Sequence, residues 1–100
     1  MRQNIKMFFM IYDADFDEDV MSALTDCRVT AYTKWDRVLG SGKKSDPKLD
    51  HAVWPGFNCS IVVAVEDDLT DELWDAMERL SGELGGTGFK VFELPILRML

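Results

Sequence analysis

Three things are scarce in this sequence: histidine, cysteine and positive charge. His51 is the only histidine, and no second imidazole, nucleophile-base pair or set of paired carboxylates stands outside helix-cap or surface settings. No catalytic constellation can be assembled from such residues, so no enzyme is expected. Cys27 and Cys59 stand alone, without Cys-x-x-Cys spacing or a nearby histidine to complete a zinc set. Both read as small buried hydrophobes. Lysine and arginine number 11 against 18 aspartates and glutamates, a formal charge of −7. A surface that acidic repels phosphate backbones and anionic lipid, which argues against nucleic acid and against direct membrane insertion. Long hydrophobic runs are missing as well. The apolar stretch 7–12 is too short for a signal sequence or a spanning helix and runs straight into Asp13, Asp15 and Asp17. A cytoplasmic location is expected.

What is present is the balance of a folded domain: 47% hydrophobic and 29% charged residues in 100 positions, enough for one hydrophobic core and one domain over 1–100. Residues 5–12 are almost continuously apolar, as in a strand buried on both faces. Phe16, Val20, Met21 and Leu24 recur at helical spacing, and Asp17, Glu18 and Asp19 place negative charge where the helix dipole favours it. Residues 28–35 alternate strictly, with Val29, Ala31, Thr33 and Trp35 on one side, predicting a second strand. The β-branched run 60–65 predicts a third, fully buried one. Leu69, Leu73, Ala76, Met77, Leu80 and Leu84 form one helical stripe, with Thr70 placed to cap it and Gly85 and Gly86 to end it. A last strand over 89–94 stops at Pro95.

The order is β-α-β-β-α-β, with the two continuously apolar strands first and third. The ferredoxin-like α+β arrangement places those strands at the centre of a four-stranded antiparallel sheet and the mixed strands at its edges, with both helices on one face. The other face, rich in Phe, Met, Val and Ile, needs cover of its own. Another copy of the same sheet supplies it most simply, so a homo-oligomer is expected.

Between Trp35 and Phe57, residues of about 36–57 lack convincing periodicity. A hairpin connection normally needs only about 2 to 5 residues. The stretch 34–58 also carries five basic residues and three acidic ones, a net charge of +2 that leaves −9 for the rest of the chain. An anion or an acidic protein surface is drawn to such a place. The run Gly40-Ser41-Gly42-Lys43-Lys44-Ser45 has glycines and lysines suited to an anion but lacks the spacing of a nucleotide-hydrolysing loop. Trp35 and Trp54 stand near its two ends, the first suited to pinning the loop's base and the second to partner contact.

The order of elements, the long loop after the second strand and the glycine-rich turn before Lys90-Val91-Phe92 resemble the nitrogen-regulatory PII-like proteins. Tyr32-Thr33-Lys34-Trp35, Gly40 and Ala52-Val53-Trp54-Pro55-Gly56 resemble the loop of that superfamily's divergent, transporter-associated branch. The resemblance implies a PII-like trimer that binds and regulates a partner, such as a membrane transporter, through its T-loop in response to a small ligand. It implies no required cofactor, with adenine nucleotide as a candidate ligand bound in clefts between subunits. On matching positions Lys34, Arg37, Gly85, Gly86, Gly88 and Lys90 would bind that ligand, and Lys43, Lys44, His51 and Trp54 would meet the partner. One departure is visible: Gly86-Thr87-Gly88-Phe89-Lys90 has Phe89 between the last glycine and the lysine, which turns Lys90 to the opposite face of its strand. The alternative reading is a divalent-metal tolerance or metal-sensing module, using Asp50 and His51 of several copies.

Overall fold

A computed structural model of the chain describes residues 5–40 and 56–100. Its elements are β1 (Ile5–Asp13), a 3-10 turn (Ala14–Phe16), α1 (Asp17–Asp26), β2 (Thr33–Val38), β3 (Asn58–Glu66), α2 (Asp67–Glu83) and β4 (Phe89–Pro95). The strands form one antiparallel sheet in the order β2-β3-β1-β4, so the two apolar strands are central, as the sequence predicts.

Alternation along the strands divides the apolar residues between two faces. Phe8, Met10 and Tyr12 of β1 lie opposite Val63, Ile61 and Cys59 of β3, and all six are buried. With Val20 and Leu24 of α1 and Leu73, Met77 and Leu80 of α2 they make the core. Aromatic contacts tie its margin: the Phe8 and Trp74 rings lie 6.4 Å apart and the Tyr12 and Phe89 rings 6.3 Å, both tilted. Cys27 and Cys59 are free and buried, as expected, and burial pushes both thiols above their usual pKa.

No described element forms a layer over the opposite face. There Met7, Phe9 and Ile11 of β1 are flanked by Ala64, Val62 and Ser60 of β3 and by Leu94, Phe92 and Lys90 of β4. Trp35 of β2 joins them opposite Ser60, and it is half exposed, as is Phe92. The Ser60 hydroxyl is buried in this face and has no hydrogen-bond partner among the described residues.

Two local expectations need correction. The second strand runs Thr33–Val38, not 28–35. Arg28 has φ 62°, and the Arg28 and Val29 amides donate to the Thr25 and Leu24 carbonyls, so these residues close α1 in a Schellman motif and cannot extend a sheet. Likewise α2 begins at Asp67, ahead of Thr70. Thr70 therefore sits inside the helix, its hydroxyl donating to the Glu66 carbonyl, and does not cap it. The other end behaves as expected: Gly85 and Gly86 have φ 86° and 78°, and their amides donate to the Gly82 and Ser81 carbonyls. No helix among the described residues is long and apolar enough to cross a membrane.

Candidate ligand site at one end of the sheet

Because every neighbouring pair of strands is antiparallel, β1 and β2 finish where β3 and β4 start. Asp13, Val38, Asn58 and Phe89 thus gather at one end of the sheet. The end of β1 moors what lies on either side. The Asp13 amide donates to the Gly88 carbonyl at 2.8 Å, fixing the glycine turn, and the Ala14 amide donates to the Phe57 carbonyl at 3.1 Å, fixing the stem of the long loop. Asp13 also accepts the Asp15 amide on its carboxylate, which starts the 3-10 turn that leads into α1.

Gly88 is held tightly. Its φ is 74°, and a Cβ there would lie 3.1 Å from Cε2 of Phe16. Only glycine fits both the conformation and the space.

On the other side, the Arg37 guanidinium sits 4.5 Å from the centre of the Phe57 ring, a cation-π contact that joins the two strands of the stem. Gly40 lies close to Asn58: a Cβ would come within 3.0 Å of its amide nitrogen.

Lys34 faces the helix layer. Its ammonium donates to Oδ2 of Asp17 at 2.7 Å and lies 3.4 Å from Oδ1 of Asp36. The other oxygen of Asp17 accepts the buried Tyr12 hydroxyl at 2.6 Å. This chain of contacts ties β2 to the first turn of α1 and to the core. Burial would raise the Asp17 carboxyl, but hydrogen bonds from Lys34 and Tyr12 and the lysine's charge outweigh it and hold the group below its ordinary value. The hydrogen bond to Asp17 raises Lys34, against the opposing effect of burial. Burial and the adjacent Asp17 carboxylate drive the Tyr12 phenol far above its usual range.

Lys90 stands opposite Ile11 on the uncovered face, while Phe89 before it is buried against Tyr12. The inserted aromatic thus turns the lysine as the sequence predicts. Lys90 also borders a groove of about 280 Å³ between β4 and α2, with Trp74, Met77 and Ser81.

Among the expected ligand residues, Gly85, Gly86, Gly88 and Lys90 are therefore together at one edge of the sheet, and Lys34 and Arg37 are together at the other. Two strands separate β2 from β4. At the usual strand spacing the two groups stand about 14 Å apart. The expected partner residues Lys43, Lys44, His51 and Trp54 lie outside the described residues, as does Asp50 of the metal alternative. No group of three or more His, Cys, Asp or Glu side chains that could hold a metal converges among the described residues. Sequence reasoning missed Asp17 and Tyr12 as partners of Lys34, and Phe57 as the platform for Arg37. Asp17 reads in the sequence as a helix-dipole acid, and nothing local signals a lysine 17 residues later.

No protein-family model and no curated protein matches this sequence. Solved structures do match its fold. One is CPII, a nitrogen regulatory PII-like protein from Thiomonas intermedia K12, bound to ADP, AMP and bicarbonate: TM-score 0.71, 19% identity, covering 93% of this chain and 92% of that one. The apo form of CPII gives a TM-score of 0.64 at 19% identity, covering 93% and 89%. A DUF3240 family protein from Shewanella baltica OS155 gives a TM-score of 0.71 at 11% identity over 100% of this chain and 97% of that one. The chain has the PII-like, ferredoxin-like fold.

Proposed function

We propose that this chain is a trimeric PII-like signalling protein of the cytoplasm that takes up an adenine nucleotide between its copies and regulates a partner, such as a membrane transporter, through the loop that joins β2 to β3. The observation that carries this reading is the mooring of the glycine turn and the loop stem to the same end of β1. A ligand that shifts one of these anchored segments is mechanically joined to the other, which is what a regulator needs and a catalyst does not. The fold neighbour CPII holds ADP, AMP and bicarbonate, which supports the choice of ligand class. Because Lys34 and Arg37 stand on one outer strand and the glycine turn and Lys90 on the other, the two groups meet only where the β2 edge of one copy faces the β4 edge of the next. This separation supports a site between copies.

Calorimetric titration of the full chain with ADP and with AMP, each with and without bicarbonate, tests the reading. Saturable binding is expected, weakened about tenfold or more in Arg37→Ala and in Lys90→Ala, the loss typical of a charge-assisted contact. A trimer that binds neither nucleotide under any of these conditions overturns the nucleotide assignment.

A further inference from the structure

The strands β2 and β3 do not keep one register. Thr33, Lys34 and Trp35 stand opposite Val62, Ile61 and Ser60, but Val38 stands opposite Asn58. Asp36 and Arg37 therefore share one opposite residue, Cys59, which makes a β-bulge. Its effect is on direction. Had the first register run on, Arg37 would fall opposite Asn58, on the bare face with Trp35 and Ser60. The extra residue puts Val38 there and turns Arg37 to the helix side, where its guanidinium meets the Phe57 ring at 4.5 Å. Phe57 is on that side because the Ala14 amide donates to its carbonyl, which carries the register of β1 and β3 one residue further. Asp36 is on that side as well, 3.4 Å from the Lys34 ammonium.

A bulge takes backbone groups out of the ladder, and the carbonyls it releases turn to other donors. Cys59 provides one. Its thiol donates to the Asp36 carbonyl at 3.4 Å, inside the bulge. Burial raises the pKa of that thiol and so keeps it protonated, as a donor must be. The residue is also firmly placed, since it lies opposite Tyr12 in the core and is only 4% exposed.

We propose that Cys59 is the positioning residue for Arg37: its hydrogen bond to the Asp36 carbonyl holds the bulge, and the bulge holds the guanidinium at the loop stem, on the side of Lys34 and away from Trp35. The inference rests on the nucleotide reading proposed above, in which Arg37 meets the ligand, and adds to it what aims that side chain. In the first register the same arginine would be presented on the opposite face.

The test uses the full chain, with circular dichroism to confirm folding, and takes two readouts. Nuclear magnetic resonance reports the aim without any ligand. The ring current of Phe57 is expected to shift the Arg37 side-chain protons upfield, and Phe57→Leu gives the unshifted reference. Cys59→Ser still donates and should keep the shift. Cys59→Val fills the space without a donor and should lose it, as should Cys59→Ala, which adds no bulk. Calorimetric titration with ADP reports the consequence. Cys59→Val is expected to weaken binding about threefold or more, the effect of one lost hydrogen bond, and to add nothing in an Arg37→Ala chain. A side chain that mattered only to the fold would cost the same in both backgrounds. An Arg37 shift retained in the Cys59→Val and Cys59→Ala chains, or an equal cost with and without Arg37, overturns the proposal. A wild-type chain that binds no ADP overturns the nucleotide assignment instead, and the Arg37 shift alone then decides whether Cys59 aims it.

Discussion

Asp17 receives a donor on each of its oxygens, Tyr12 on one and Lys34 on the other. In Lys34→Met the carboxylate keeps only the phenol, and the loss of one charge-assisted bond in a partly buried place is expected to cost about 1 to 3 kcal/mol in urea unfolding. The pH dependence follows from the two directions of shift. Asp17 is lowered from 3.8, so its contribution is present above that value and lost as pH falls through the folded-state value. Lys34 is raised from 10.5, so its contribution is present below that value and lost as pH rises through the folded-state value. The gap in stability between wild type and Lys34→Met should therefore stay level from about pH 5 to 9 and close towards both extremes. A gap that changes through the neutral range would contradict this account of the network.

At the scale of elements, the glycine turn gives the sharpest expectation. Gly85 and Gly88 both have positive φ, but a Cβ at Gly85 meets open space, whereas one at Gly88 meets the Phe16 ring. Gly85→Ala should cost about 1 to 2 kcal/mol for the left-handed backbone alone. Gly88→Ala should cost more, and thermal unfolding of the two variants side by side checks the order. The same scale shows how far the fold was legible. Strands β1 and β3 announce themselves because both faces of each are apolar, and α2 because its stripe persists over four turns and ends in two glycines. β2 was displaced because Val29 and Ala31 continue an alternation that the backbone does not follow. The αL position at the end of α1 is filled by Arg28, which gives no signal of the kind that Gly85 gives at the end of α2. The candidate site was legible in the shape of its glycine turn, since the positive φ of Gly85, Gly86 and Gly88 is a local matter. It was illegible in the contacts of Lys34, which join residues from a helix start, a sheet edge and the core.

For the whole molecule, charge and hydrophobicity are separated in space. The helix layer carries acid-rich first turns, at Asp17 to Asp19 and at Asp67 and Asp68, while the bare face of the sheet holds almost no charge apart from Lys90 and the ends of the strands. Such a distribution opposes contact between copies through the helix layer and opposes it less through the bare face.

Within that bare face one oxygen atom has a consequence of its own. The Ser60 hydroxyl has given up water without gaining a partner among the described residues, and the backbone ladder around it does not depend on it. Ser60→Ala is therefore expected to leave the single chain about 1 kcal/mol more stable. Differential scanning calorimetry would register this as a melting point about 4 to 8 °C higher. A rise of that size would mark one oxygen atom as a cost the protomer carries alone, and trimming it would release the difference.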